Sequence, residues 1–379
     1  MSTAATSAGT TDEQHATGTV QPSGAVDEQR VADFEERVVD ILNHGALSLM
    51  LSAGHRTGLL DAMAETGPAG IEAIAEHAGL NQRYVTEWLG AMTVGAIVEH
   101  DPDTGTYTLP AEHAQLLTRV SGGDNLAAFA QYIPLLGGVE DRIVECFHRG
   151  GGVDYAEFGR FHEVMEEDSA QTVLSALREH ILPLVPGLTE RLTDGIRVID
   201  VGCGRGRALN DMASWFPRST FVGYDLSAEA IAYARDTAAE RGLGNVSFSV
   251  EDAARLAEVE PAGSADLVTT FDAVHDQADP SAVVRGIRHA LAEDGVYLAQ
   301  DIDASSTHHG DREHPLGPLL YTLSCLHCMT VSLARGGAGL GAMWGRERAR
   351  AMFESAGFTD VQIHTLDHDP QNAYYICRP

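Results

Sequence analysis

The segment that most constrains the fold of this 379-residue chain is a short apolar run that leads into a glycine-rich turn. The run occupies positions 198–201, and glycines follow at three alternate positions, Gly202, Gly204 and Gly206. The residues after them, as far as Phe216, have helical spacing. A strand, a glycine turn and a helix in this order are typical of the first unit of a nucleotide-binding α/β sheet. Glycine is needed in such a turn because a ligand approaches the backbone where a Cβ atom would collide with it.

The spacing of the glycines distinguishes between two classes of nucleotide-binding sheet. A dinucleotide-binding turn has the pattern Gly-x-Gly-x-x-Gly, which would require glycine at position 207. Position 207 is Arg, and the glycines instead follow Asp200 in the pattern Asp-x-Gly-x-Gly-x-Gly. This pattern resembles motif I of the class I S-adenosylmethionine (SAM) methyltransferases.

Beyond residue 196 the sequence pattern alternates between strands and helices. Strands are predicted at 198–201, 220–224, 246–250, 265–270 and 296–301, and helices at 207–215, 228–241, 253–256, 280–292 and 345–355. Such alternation indicates a mainly parallel sheet with helices on both faces. The chain ends in two strands, 361–366 and 373–377, joined by a polar turn at 367–372. The last strand must therefore run antiparallel to its neighbour, and the fold class is α/β with a Rossmann-like sheet.

Aspartates follow four successive strands of this predicted sheet. They are Asp200, Asp225, Asp252 and Asp272. Ligands of open α/β sheets bind at the carboxyl ends of the strands, where these acids would meet. A single aspartate at a strand end can also cap the following helix, but four of them in phase with a glycine turn favour a ligand site.

The chain from about residue 30 to its end is similar to bacterial SAM-dependent methyltransferases with an N-terminal winged helix. It is similar in plan to the small-molecule O-methyltransferases, in which the winged helix forms the dimer. The resemblance implies that Asp225 accepts from both ribose hydroxyls and that Asp252 accepts from the adenine amino group. The cofactor-binding set predicted for SAM comprises Asp200, Gly202, Gly204, Gly206, Asp225, Leu226, Asp252, Ala253 and Asp272.

A candidate general base follows the fourth strand. His275-Asp276 resembles the His-Asp pair of plant-type O-methyltransferases, although the aromatic residue that usually follows is replaced by Gln277. Histidine suits the role because its pKa of about 6.5 lets it take a proton at neutral pH. Alternatively, His275 contacts the amino-acid part of SAM or only packs under a lid. His162 is the second catalytic candidate.

The N-terminal part has the pattern of a winged helix. Helices are predicted at 31–52, 58–64, 71–77 and 82–94, the last capped by Asn81, and a hairpin follows at 96–100 and 106–109. A winged helix can bind DNA through its second helix or serve as a dimerisation domain. Residues 1–120 contain 5 Arg and 17 acidic residues. DNA binding needs several cations to neutralise phosphates, so we expect no nucleic-acid partner and a homodimer.

The remaining segments complete a division into a disordered tail (1–29), the winged helix (30–120), a helical linker or lid (121–192) and the SAM-binding domain (193–379). The lid is rich in aromatic residues, which either cover the active site or pack an interdomain core. We predict no metal site. A His308-His309-x-Asp311 stretch is expected to be a solvated loop, and Cys325-Leu-His327-Cys328 a buried helix with a possible substrate contact at His327.

Charge and cysteine content indicate the cellular setting. The net charge is −30, all 25 basic residues are Arg, and such a field repels nucleic acid and anionic membranes. Five scattered cysteines suggest a reducing cytosol, and we expect neither a signal peptide nor a transmembrane span. The predicted function is SAM-dependent methylation of a small molecule. A SAM-responsive winged-helix regulator and a SAM-binding protein without methyl transfer are the alternatives, and neither the acceptor nor the methylated atom can be read from the sequence.

Overall fold

A computed structural model describes residues 26–120 and 125–379. The predicted tail lies outside the described residues as far as position 25. The chain divides into a unit that ends at Gly45 and a second unit, Ala46–Pro379. In the first unit the described residues form the beginning of helix α1 (Glu28–Thr57), which is longer than the predicted 31–52. Apolar side chains on this part of α1 are exposed, among them Phe34 (67%) and Leu42 (68%).

The N-terminal part of the second unit has the predicted winged-helix elements. They are α2 (Leu59–Thr66), α3 (Ile71–Ala78), α4 (Gln82–Val94), β1 (Glu99–Asp101), β2 (Thr106–Thr108) and α5 (Ala111–Leu117). The side chain of Asn81 caps α4 as predicted, because its Oδ1 accepts from the backbone N–H of Arg83 at 3.0 Å. Strands β1 and β2 pair antiparallel. Leu60, Ile74 and Leu89 form part of the core between the helices.

A helical segment connects the winged helix to the sheet. Its helices are α6 (Leu126–Phe129), α7 (Tyr132–Gly137), α8 (Glu140–Arg149), α9 (Phe161–Ser169) and α10 (Leu188–Asp194). Short 3-10 or π turns at Tyr155–Glu157, Ala170–Leu174, Leu177–Ile181 and Leu182–Leu184 separate them. Tyr132, Phe158 and Phe161 are buried together in one apolar cluster.

The C-terminal part contains a seven-stranded sheet in the order β5-β4-β3-β6-β7-β9-β8. Its strands are β3 (Arg197–Val201), β4 (Thr220–Asp225), β5 (Val246–Val250), β6 (Ala265–Phe271), β7 (Leu291–Ile302), β8 (Asp360–Leu366) and β9 (Asp369–Arg378). All pairings among β3 to β7 are parallel, whereas β9 pairs antiparallel with β7 and β8. The predicted mixed sheet with an antiparallel last strand is confirmed.

Helices cover both faces of this sheet. They are α11 (Arg207–Trp215), α12 (Ala228–Glu240), α13 (Leu256–Val259), α14 (Pro280–Ala290) and α17 (Gly345–Ser355). Two further helices, α15 (Gly317–Leu323) and α16 (Met329–Ala334), contribute Leu320 and Val331 to separate apolar clusters. Neighbouring residues of β3 face opposite ways, so that Val198 packs in one core and Ile199 in the other.

Predicted element boundaries are wrong at two junctions of the sheet. The helix expected to reach 292 ends at Ala290, and β7 begins at Leu291 instead of 296. The polar turn expected at 367–372 is also shorter, because β9 already begins at Asp369. Its polar residues are buried but partner one another: the Asp369 carboxylate accepts from the Asn372 amide at 3.0 Å and from the Tyr374 hydroxyl at 2.7 Å. The Asp369 carboxylate and the Asn372 amide nitrogen are therefore paired inside the buried strand, whereas Oδ1 of Asn372 has no partner among the described residues.

One segment, Gly317–Ala334, is long and apolar enough to cross a membrane by length and composition. It comprises α15, a π turn at Ser324–Cys328, and α16. Leu320, Cys328 and Val331 are buried within the fold, which is typical of a core helix, as the sequence predicted for this segment.

Candidate active site

All eleven predicted site residues line one cavity. Its volume is about 670 Å³, and it lies where β3, β4, β5 and β6 end. Parallel strands bring their carboxyl ends to one edge of a sheet, which explains why residues far apart in the sequence meet here. The eleven are Asp200, Gly202, Gly204, Gly206, Asp225, Leu226, Asp252, Ala253, Asp272, His162 and His275.

The glycines of the turn serve two different purposes. Gly204 and Gly206 both have positive φ, +52° and +68°, which favours glycine. A Cβ atom added to Gly206 would lie 2.5 Å from the ring of Phe248, so glycine is required there for packing. A Cβ atom added to Gly204 would meet no protein atom within 4 Å. Gly204 therefore leaves an open backbone surface beside the cavity, as expected of a cradle for a ligand.

Asp225 is held beside this cradle by two backbone groups. Its carboxylate accepts from the N–H of Gly204 at 2.9 Å and from the N–H of Ser227 at 2.8 Å. These bonds fix both carboxylate oxygens at the end of β4, and each oxygen retains a lone pair for a ligand hydroxyl. Asp252 caps the turn after β5, because its Oδ1 accepts from the N–H of Ala254 at 2.9 Å. The helix-capping alternative thus applies to Asp252, whose side chain also lines the cavity.

Asp200 lies beneath the glycine turn and is 2% exposed. The hydroxyl of Thr269, on β6, donates to it at 2.7 Å. Burial raises the pKa of Asp200 to about 7, against the opposing effect of this hydrogen bond. Asp200 therefore joins β3 to β6 at the floor of the cavity.

His275 forms a buried pair with Asp301, which the sequence analysis did not identify. The Nδ1 atom of His275 lies 2.7 Å from Oδ1 of Asp301, and the two residues are 5% and 1% exposed. The same oxygen accepts from the indole N–H of Trp344 at 3.0 Å and from the N–H of Ile302 at 2.9 Å. Burial lowers the pKa of His275, but Asp301 and Cys328 together raise it by charge and hydrogen bonding, and the resulting pKa lies well above the usual value.

Asp276, the acid that follows His275 in the sequence, has a different environment. Its carboxylate accepts from the side-chain amide of Gln277 at 3.0 Å, and burial raises its pKa to about 6. In the structure Asp301 on β7, and not Asp276, is the carboxylate hydrogen-bonded to His275. The sequence does mark Asp301 as a candidate, because it is a carboxylate at the end of a run of apolar strand residues. Only the pairing of β7 with β6, however, brings it to His275.

Three side chains at this point are close enough to hold a metal ion. Ligand atoms of Asp272, His275 and Asp301 all lie within 4.8 Å of one another. Oδ1 of Asp301 already accepts from three protein groups, which favours a dyad with His275, whereas Oδ2 of Asp301 and Oδ1 of Asp272 have no partner among the described residues. We therefore interpret His275 and Asp301 as a hydrogen-bonded dyad.

Residues of helix α9 line the cavity, and ion pairs join this helix to the glycine turn. Glu166 on α9 contacts Arg205 at 2.7 Å and Arg207 at 3.4 Å. Arg205 also pairs with Glu229 at 2.8 Å and lies 4.7 Å from the centre of the Tyr233 ring. Arg207, which stands where a dinucleotide-binding turn would have glycine, thus contacts α9.

His327 lies in the aromatic part of the cavity wall. Its ring stacks on Phe161 with centroids 3.5 Å apart and planes at 7°. The residue is 1% exposed, and neither ring nitrogen has a hydrogen-bond partner among the described residues. Burial lowers the pKa of His327 well below its usual value, and His275 and His162 act in the same direction. His327 is thus a neutral ring on the cavity surface, consistent with the substrate contact predicted for it.

Two protein families match separate parts of the chain. Residues 45–119 match the Rv2258c-like winged HTH domain. Residues 192–364 match the family described as Methyltransferase domain.

Individual proteins are similar as well. The nocamycin O-methyltransferase of Saccharothrix syringae is 38% identical over 127 residues, which are 33% of this chain and 43% of that protein. The chain thus spans less than half the length of this curated relative. Human N-acetylserotonin methyltransferase in complex with SAM has a TM-score of 0.63 and 18% identity, covering 94% of this chain and 99% of that one. Mitomycin 7-O-methyltransferase MmcR has a TM-score of 0.66 and 18% identity, covering 93% and 100%. At this identity the two structures show the fold.

Proposed function

Because the chain carries a methyltransferase domain behind a winged helix-turn-helix domain, we propose that it is a SAM-dependent O-methyltransferase acting on a small molecule. One observation carries the proposal: the buried His275–Asp301 dyad lies in the same cavity as the open glycine cradle. A base and a place for a methyl donor are the two things that O-methylation requires.

The residues of the cradle fit SAM. Asp225, with two oxygens fixed by backbone N–H groups, suits a pair of ribose hydroxyls. Asp252 suits the adenine amino group, and Gly204 lets the ligand approach the backbone. Leu226 and Ala253 line the same region and offer apolar surface to a base. SAM, when bound, supplies a methyl group already activated on a sulfonium.

The chain itself aligns the acceptor and removes its proton. With Asp301 at Nδ1, the deprotonated Nε2 of His275 takes the proton of an acceptor hydroxyl as the oxygen receives the methyl group. Because the pKa of His275 is raised, this neutral form of the ring prevails only at alkaline pH, and activity should rise with pH. Holding the acceptor oxygen in line with the methyl group provides the larger part of the rate enhancement. His162 lines the same cavity, but burial lowers its pKa and makes it the weaker base.

The test is the substitution His275→Ala. We expect the formation of S-adenosylhomocysteine (SAH) in the presence of a phenolic acceptor to fall by a factor of about 10² or more, whereas the affinity for SAM changes little. His162→Ala should retain activity. If His275→Ala instead weakens SAM binding, His275 is a cofactor contact and the assignment as base fails.

We further propose that the winged helix mediates a homodimer in the cytosol and does not bind DNA. The exposed apolar side chains of the first part of α1, including Phe34 and Leu42, are suited to cover a second copy. The cation of the would-be recognition helix, Arg83, is already paired with Glu87.

In this proposal residues 30–120 form the dimerisation domain, 121–192 the lid and 193–379 the SAM-binding domain. Phe34→Asp should convert a dimer into a monomer in light scattering, and a wild-type monomer would refute it.

A further inference from the structure

The part of the cavity between α9 and the end of β6, where the methyl acceptor would bind, is rich in carboxyl groups. Asp168 on α9 and Asp272 at the end of β6 both line it. Asp301 and Asp369 are buried next to them. Burial is the largest cause that raises the pKa of Asp272 and of Asp168, and the charges of Asp301 and Asp369, respectively, raise them further. The arginines that line the cavity, Arg205, Arg207 and Arg335, belong to other elements: two to the glycine turn and its helix, and one to the end of α16.

The lining carboxyls differ from Asp369 behind them in their hydrogen bonds, whereas Asp301, like them, has one oxygen, Oδ2, without a partner among the described residues. Asp369 accepts from Asn372, Tyr374 and Gln300, so that its charge is stabilised by protein donors. Asp168 accepts from the Tyr132 hydroxyl at 2.7 Å through Oδ2, and the nearby Gln371 amide lowers its pKa, but no described residue forms a hydrogen bond of regular geometry with its Oδ1. Asp272 likewise has a shielded Oδ1 without a protein partner. Buried polar atoms almost always have partners, so these exceptions require an explanation.

A third polar group on the same wall also lacks a protein partner. His327 is 1% exposed, lines the cavity and has no hydrogen bond at either ring nitrogen. Because burial keeps this ring uncharged, it offers a lone pair and does not repel a cation. Much of the remaining wall is apolar, with Phe129, Met165, Val173, Leu174, Phe271 and Leu320, although Gln371 also lines it. The wall therefore combines apolar surface with acceptors that lack donors.

We infer that the methyl acceptor carries a basic nitrogen, which binds as an ammonium group at Asp168 and Asp272. An ammonium group provides N–H donors for the two partnerless oxygens and opposes the concentration of negative charge. The apolar wall receives the hydrocarbon or aromatic part of the same molecule. This inference rests on the proposed function, since it describes the acceptor of that reaction.

The test is binding by three phenols of similar size that differ in charge: tyramine, 4-propylphenol and 4-hydroxyphenylacetate. Each is titrated by calorimetry into the protein saturated with SAH. We expect tyramine to bind about tenfold more tightly than 4-propylphenol, because charge-assisted hydrogen bonds are roughly twice as strong as neutral ones. The acid should bind most weakly. Equal or tighter binding of 4-propylphenol or the acid, or no binding of tyramine, would overturn the inference.

Asp168→Asn identifies the residue responsible. The substitution keeps the shape and the bond with Tyr132 but removes the charge, and we expect the preference for tyramine to fall to about twofold or less. Glu163→Gln, an exposed position on the same helix paired with Arg160 at 2.9 Å, is the matched control and should keep the full preference. A preference that persists in Asp168→Asn contradicts the inference. SAH binding to the wild-type protein is measured first, and absence of binding would refute the proposed function. If SAH binds but tyramine is not preferred, only the inference is refuted.

Discussion

The contact between Glu166 and the glycine turn predicts how long the cofactor stays bound. Glu166 and Arg205 are 19% and 18% exposed and 2.7 Å apart, so solvent screens this pair only weakly. Glu166 lies on α9, which also carries His162 and Asp168 of the cavity wall. Release of a ligand from beneath α9 therefore requires this ion pair to open.

The substitution Glu166→Gln removes the charge and keeps the size of the side chain. A hydrogen bond between charged groups contributes about 1.5–3 kcal/mol. The lower half of this range applies because Arg205 keeps Glu229 as a partner and because Arg207, at 43% exposure, adds little. A loss of about 1.5–2 kcal/mol corresponds to SAH dissociation that is about 10–30 times faster.

Stopped-flow displacement of SAH measures this rate directly and needs no methyl acceptor. The control is Glu163→Gln on the same helix, whose ion pair with Arg160 is 34% and 56% exposed. Such a pair contributes little, and the rate should stay within about twofold of the wild type. An unchanged dissociation rate in Glu166→Gln, or an equal acceleration in the control, would refute the role of the ion pair.

Three further predictions concern the dyad, the glycine turn and metal. Asp301→Asn removes a charge that raises the pKa of His275, and burial lowers the same pKa. The acid limb of the pH profile of kcat/KM for a hydroxyl acceptor should therefore move to lower pH. An unchanged acid limb would contradict the dyad. Gly206→Ala places a Cβ atom 2.5 Å from the Phe248 ring and should lower the free energy of unfolding by about 1–3 kcal/mol, seen as a lower Tm. Gly204→Ala should lower Tm less but weaken SAH binding in calorimetry, because its Cβ atom would occupy the cradle. Excess EDTA should leave turnover unchanged, and a loss restored by a divalent cation would favour a metal at Asp272 instead.

The parts of the site that the sequence predicts are those governed by local rules. The strand, glycine turn and helix from Arg197 to Trp215 are encoded by adjacent residues, and strand-end aspartates meet because parallel strands end at one edge. The partner of His275 could not be predicted this way. Asp301 reaches His275 because β7 lies next to β6 in the register that pairs Phe271 with Gln300. Sheet order and register depend on contacts between distant segments, which periodicity does not encode.

The lid was harder to predict for the same reason. Asp168 looks like an ordinary polar residue of an amphipathic helix, and only the fold places it against Tyr132 and near Asp369. The early start of β9 is a related case, since a polar stretch normally indicates a turn. Here the Asn372 amide donates to the buried Asp369 carboxylate, and this pairing has no signature in a single sequence.

The dyad and the acidic wall together limit which atom of the acceptor can be methylated. An ammonium group held by Asp168 and Asp272 has no lone pair and cannot act as a nucleophile. The methylated atom must therefore be a different group of the same molecule, placed near Nε2 of His275. A histidine base paired with a buried carboxylate is useful when the methylated group still holds its proton, as a hydroxyl does at neutral pH. A neutral amine already has a free lone pair and would not need such a base. The two proposals therefore converge on an acceptor that is methylated on oxygen and keeps its basic nitrogen unmodified.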